Sequence, residues 1–154
     1  MKKIAIGSDH GGFELKEEIK NFLLKEGYEV KDFGTNSNSS CDYPDYAIPV
    51  AEAVVAKEFE FGILICGTGI GIGIAANKVP GVRAALCSDT FSAHATREHN
   101  NANILTLGQR VVGPGLALDI VKTFLNTEFE GGRHQNRIDK IEEIEKSLIN
   151  KKIK

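Results

Sequence analysis

Short apolar runs alternate with stretches of helical periodicity along this chain. Lys3–Gly7 (KIAIG), Tyr28–Phe33 (YEVKDF), Phe61–Cys66 (FGILIC), Val82–Cys87 and Asn103–Gly108 (NILTLG) read as strands. FGILIC is apolar without a break, the mark of a parallel strand buried on both faces. Between the strands, Phe13–Lys25 carries Leu15, Ile19, Phe22 and Leu23 at i, i+4, i+7 and i+8, which predicts an amphipathic helix. Tyr46–Lys57 places Ala47, Val50, Ala51, Val54 and Val55 on one helical face, and Leu116, Ala117, Ile120, Val121 and Phe124 form a similar stripe. A short helix is predicted near Ile74, another over Thr90–Glu98 with Asp89 as N-cap, and a last one over Gln135–Ile149. Asn36–Asp42 (NSNSSCD) is polar and reads as a loop.

Strands that alternate with helices predict an α/β fold: a single-domain, doubly wound, Rossmann-like parallel sheet of five strands with an extra C-terminal helix. Residues 1–150 are expected to form one domain, and 151–154 a solvated basic tail. Ligands of such sheets bind outside the carboxyl ends of the strands. The segments to inspect are therefore Ser8-Asp9-His10, Cys66-Gly67-Thr68-Gly69, Ser88-Asp89 and Gly108-Gln109-Arg110.

Composition narrows the function classes. Nineteen Lys and Arg against 21 Asp and Glu leave a formal net charge of −2, so no basic excess argues for nucleic acid. No apolar run reaches the ~18 residues of a membrane span. The N-terminal apolar stretch is too short for a signal peptide, and a cytoplasmic location is expected. Cys41, Cys66 and Cys87 are spaced neither as a disulfide framework nor as a zinc motif, and neither metal nor cofactor is expected.

The strongest local feature is Cys66-Gly67-Thr68-Gly69-Ile70-Gly71-Ile72-Gly73, with four glycines at alternate positions after a buried strand. Backbone N–H groups of such a turn at a helix start make an anion nest, and a thiol at its mouth is favoured as thiolate. The competing readings are a tight turn with a core cysteine, and a dinucleotide site. The latter rests on Gly71-Ile72-Gly73-Ile74-Ala75-Ala76, which matches G-x-G-x-x-A, with Asp89 as the ribose-binding acid. Asp9-His10 follows the first strand and is either part of a site or an N-cap with an exposed histidine. His99 ends a helix, where it either serves a site or caps. Arg133 and Arg137, in GGRHQNR, share a face at i, i+4 beside a glycine turn and suit a phosphate, unless they are only a solvated basic face. Together these residues point to a small phosphorylated substrate and to proton abstraction beside a carbonyl, with the nest holding an enediolate.

The motifs GSDHGG, CGTGIGIGIAANK, SAHATREHNNANILTLGQRVVG and GGRHQNR, in this order from Gly7 to Arg137, resemble the ribose-5-phosphate isomerase B family. That resemblance implies metal-free interconversion of ribose 5-phosphate and ribulose 5-phosphate. It implies Cys66 as the base, and Thr68 with the N–H groups of Gly67, Gly69, Ile70 and Gly71 around the enediolate oxygens. Asp9 would lie beside the same oxygens, His99 would help open the furanose ring, and Asn100 would contact a hydroxyl. His10, Arg133 and Arg137 would bind phosphate, Arg110 would arrive from a neighbouring subunit, and Tyr43 would form a wall. A homodimer with shared active sites is implied, with pairing of dimers left open. A hexose-6-phosphate substrate, such as allose or galactose 6-phosphate, is the alternative within the family.

Overall fold

The computed structural model describes residues 2–153. The elements in order are β1 (Lys3–Ser8), α1 (Phe13–Lys25), β2 (Glu29–Asp32), α2 (Pro44–Val55), β3 (Phe61–Cys66), α3 (Ile70–Ala76), β4 (Ala84–Leu86), α4 (Thr90–Asn100), β5 (Ile104–Gly108), α5 (Pro114–Leu125) and α6 (Arg133–Ile153). A single 3₁₀ turn, His10–Gly12, joins β1 to α1. The five strands form one parallel sheet in the order β2-β1-β3-β5-β4. The expected fold class holds, and so does every expected element. Among the described residues, no helix is long and apolar enough to cross a membrane.

Both faces of the sheet are covered, because alternate strand residues point to opposite sides. Ile4, Ile6, Ile63, Ile65, Leu105 and Leu107 pack under α1, α4 and α5, where Leu15, Ile19, Ala93, Ile120 and Phe124 are buried. Ala5, Leu64 and Ile104 face Ala47, Val50, Val54, Ile72 and Ala76 of α2 and α3. Phe61 and Phe124 meet edge to face at 5.5 Å in the first layer.

Element ends differ from the sequence reading for local reasons. Pro44 opens α2 two residues before Tyr46, since a proline at the first turn lacks only an N–H that would be unpaired anyway. The outer strand β4 shortens to Ala84–Leu86, with β5 as its one neighbour. α6 begins at Arg133 because Gly131 and Gly132 take positive φ (74° and 57°) and turn the chain into it. The helix continues to Ile153, through the segment expected as a tail; Lys154 lies outside the described residues.

Among the described residues, one charged side chain is wholly interior. Lys16 of α1 is fully buried, with Nζ at 2.7 and 2.6 Å from the two carboxylate oxygens of Asp32. Burial works against the Asp32 carboxylate. Hydrogen bonds from Lys16, the Gly34 N–H and Lys20 outweigh it and hold Asp32 below the usual carboxylate range.

Candidate active site

The strand order changes direction between β1 and β3, with β2 on one side and β3, β5 and β4 on the other. A crevice outside the carboxyl ends of two such strands is where doubly wound sheets bind ligands. Ser8 ends β1 and Cys66 ends β3, so the loops that follow them meet there. An ideal Cβ on Gly11 would lie 3.1 Å from the Gly67 nitrogen, which shows how closely the two loops touch.

Asp9 is buried, and one of its carboxylate oxygens accepts the Gly11 N–H at 2.9 Å. It therefore does cap the turn, as its simplest reading expects, while also lining the crevice. His10 Nδ1 accepts the Cys41 N–H at 3.2 Å, so the neutral ring carries its proton on Nε2. Asp9, His10, Cys41, Tyr43 and their neighbours line a cavity of about 560 Å³. That is ample for a small phosphorylated ligand.

The glycine loop after β3 is tightly determined. Cys66 is 5% exposed, and its Sγ accepts the Gly69 N–H at 3.0 Å. The Ile70 N–H donates to Thr68 Oγ1 at 3.2 Å. These two donors are occupied within the loop, leaving Gly67, Thr68 and Gly71 as its other backbone N–H groups. Gly69 has φ +79°, and a Cβ there would stand 2.8 Å from the Leu107 carbonyl carbon, so no other residue fits. Thr106 Oγ1 donates to the Gly69 carbonyl at 2.8 Å and ties the loop to β5. The Tyr43 ring lies against Gly71, and the Arg110 guanidinium lies against Gly67 of its own chain. Asp9, His10, Tyr43, Arg110 and the segment Cys66–Gly71 thus form one cluster.

His99, Asn100, Arg133 and Arg137 form a second cluster at the other end of the molecule. α4 starts at the carboxyl edge of the sheet and returns to the amino edge, where Asn100 ends it. Strand register gives the scale, since Cys66 pairs with Gly108 and Gly62 with Ile104. Four residues of strand span about 13 Å, and α4 ends level with Ile104, where the Asn100 carbonyl accepts Arg83 Nε at 3.1 Å and the Arg83 carbonyl accepts the Ile104 N–H at 3.3 Å. Here the Glu130 N–H donates to the Glu98 carbonyl at 3.0 Å and docks the start of α6 on the end of α4. The His99 and His134 rings stack at 4.4 Å with 13° between planes. Arg133 is exposed and reaches Glu130 at 3.9 Å. Arg137 is exposed one turn further on.

His134 and Glu130 were not singled out by sequence reasoning. His134 stood inside GGRHQNR, but its distance from His99 along the chain matches no motif. No metal cluster was expected either, yet His99, Glu130 and His134 each bring a ligand atom within 4.8 Å of the others. The other two cysteines differ from Cys66. Cys87 is buried, and burial together with the Asp89 carboxylate pushes its thiol up to about 11. Cys41 Sγ lies 3.9 Å from His10 Nδ1.

The dinucleotide reading fails on geometry. Gly71 and Gly73 lie inside α3 rather than in the turn before it. The Asp89 carboxylate is engaged as the α4 N-cap, accepting the Ser92 N–H at 2.6 Å and the Ser92 hydroxyl at 2.9 Å.

Comparison with known proteins identifies the family. The family model described as Ribose/Galactose Isomerase matches residues 4–141. The chain is 54% identical over 145 residues to ribose-5-phosphate isomerase B of Escherichia coli (strain K12), covering 94% of this chain and 97% of that protein. It is 44% identical over 142 residues to a D-erythrulose-4-phosphate isomerase of Pectobacterium atrosepticum, covering 92% and 93%. The solved structure of Clostridium thermocellum ribose-5-phosphate isomerase B superposes with a TM-score of 0.94 at 64% identity, covering 95% of this chain and 99% of that one.

Proposed function

Because the chain belongs to the ribose/galactose isomerase family and is an isomerase, we propose that it interconverts D-ribose 5-phosphate and D-ribulose 5-phosphate through an enediolate. The observation that carries this reading is the buried Cys66 Sγ at the end of β3, enclosed by a glycine loop. Cys66 as thiolate takes the proton from C2 of the open-chain aldose, and the C1 carbonyl oxygen becomes an enediolate oxygen. Return of that proton to C1, with the hydroxyl proton passing from O2 to O1, leaves the carbonyl at C2, which is the ketose. The Thr68 hydroxyl and the remaining N–H groups of the loop complement the oxygens while they carry charge. This is the electrostatic term that is commonly the largest in such reactions. Asp9 borders the same oxygens, and Tyr43 closes one wall.

Ring opening and phosphate binding need the second cluster, which one chain holds far from its own Cys66. The reading is therefore that a second copy supplies His99 for ring opening, Asn100 for a hydroxyl, and Arg133 and Arg137 for phosphate beside His10. Apolar side chains left in solvent on α3, β4 and the start of α4 support such a partner: Phe91 is 78% exposed, Ile74 59%, Ile70 51% and Leu86 43%. Arg110, already at Gly67 of its own chain, adds positive charge where the anion would sit.

The test is an assay of ribose 5-phosphate to ribulose 5-phosphate turnover with chelator present, run beside allose 6-phosphate, galactose 6-phosphate and D-erythrulose 4-phosphate. Ribose 5-phosphate should give the highest kcat/KM and chelator should not lower it. Preference for another sugar phosphate overturns the substrate. Activity lost to chelator and restored by zinc or manganese overturns the mechanism.

A further inference from the structure

His134 is 5% exposed, and its Nε2 has no hydrogen-bond partner. The nearest acid is the Glu130 carboxylate, at 3.6 Å, beyond hydrogen-bond reach. Leaving a buried polar atom unpaired costs about 1–3 kcal/mol. The ring belongs to a cluster: one ring nitrogen each of His99 and His134 and a carboxylate oxygen of Glu130 lie within 4.8 Å of one another. Two imidazoles and a carboxylate are the donor set that zinc-class ions prefer, and magnesium and calcium do not. One ion with ligands at about 2.0–2.2 Å would bring these atoms to about 3.3 Å apart. The required closure falls on the two exposed members. The side chains of His99 and Glu130 are 44% and 45% exposed, whereas His134 is held by the fold. The surrounding charge is mixed: Glu98 lies 3.9 Å from His99 Nε2, Arg133 lies 3.9 Å from Glu130, and His94 holds Glu98 at 2.7 Å. The Arg133 side chain is 67% exposed and has room to swing away.

We propose that His99, His134 and Glu130 form an inhibitory site for a divalent transition-metal ion of the zinc class. The inhibitory part rests on the reading that His99 serves the sugar ring, because a histidine holding a metal is withheld from its substrate. The ion acts as a brake on the isomerase and takes no part in its reaction.

The experiment is titration of chelator-treated protein with Co²⁺, followed by its visible absorption, and of the isomerase reaction with Zn²⁺. Wild type should bind one Co²⁺ per chain, displaced by Zn²⁺, without the strong thiolate-to-cobalt band, and Zn²⁺ should inhibit over the same range. Glu130→Gln, at an exposed position, should weaken binding and inhibition at least about tenfold while metal-free turnover persists. His134→Ala should do the same, and Cys66→Ala should bind Co²⁺ as wild type does. Absence of Co²⁺ binding overturns the proposal. So does Zn²⁺ inhibition that Glu130→Gln leaves unchanged, or Co²⁺ binding that Cys66→Ala abolishes. Co²⁺ binding by a chain that leaves ribose 5-phosphate untouched would overturn the proposed function and keep the metal site.

Discussion

Cys66 and His99 sit at opposite edges of one sheet, and that separation can be turned into a number. The β3–β5 register pairs Cys66 with Gly108 and Gly62 with Ile104, the end at which α4 finishes, so about 13 Å of strand separates the two residues in one chain. A histidine side chain cannot cross that gap, so the proposed reaction would take Cys66 from one copy and His99 from another. In a twofold dimer both sites are built this way. Cys66→Ala and His99→Ala should each cost about 10²–10⁴-fold in turnover as homodimers, the usual loss of a positioned proton-transfer group. Unfolded together in equal amounts and refolded, half of the dimers should be mixed. Each mixed dimer has one site with both damaged residues and one site with neither. Activity should therefore return to about a quarter of wild type, by symmetry counting. The assay is ribose 5-phosphate isomerisation on the refolded mixture, with mass spectrometry under native conditions to count mixed dimers. A mixture that contains mixed dimers but stays as inactive as its parents would refute the reasoning, because residues of one chain's site cannot be complemented.

Cys66→Ala should lose most turnover, whereas Cys41→Ala and Cys87→Ala should keep near-normal kcat; an active Cys66→Ala protein would remove the base assignment. Arg137→Ala should lower kcat/KM for the phosphate ester by about 10- to 150-fold, since charge-assisted hydrogen bonds contribute about 1.5–3 kcal/mol each; unaltered kinetics would make Arg137 a surface charge only. Lys16→Ala removes the buried ammonium while Lys20 and the Gly34 N–H still hold Asp32, and should cost about 1.5–3 kcal/mol in urea unfolding, with a change under 1 kcal/mol contradicting the pairing. Cys87, raised from 9.0 to about 11, holds its proton more tightly folded than unfolded. Its contribution is therefore present below pH 9 and lost as pH rises toward 11, by up to about 2–3 kcal/mol, and Cys87→Val should flatten that limb of the urea-midpoint profile.

Hydrophobic period was enough to read the fold class, because burial on both faces of a sheet needs FGILIC-like runs and burial on one face needs helical stripes. Local chemistry was equally legible where it stays local. Cys66 through Gly71 is one loop, and a φ of +79° with a backbone carbon 2.8 Å from a would-be Cβ leaves glycine as the only residue for position 69. Asp9 and His10 followed from the rule that sites lie past the strand ends. What tertiary structure alone decided is proximity between distant segments. Period says which face of α4 is buried, but not that α4 carries His99 back to the amino edge, away from Cys66. Nor does any spacing announce that His134 will stack on His99, since that contact depends on Glu130 docking against Glu98 across the α4–α6 junction. The order β2-β1-β3-β5-β4 is of the same kind. Strand neighbours are chosen by how helices pack over the sheet, a property of the whole core that no single window of sequence contains.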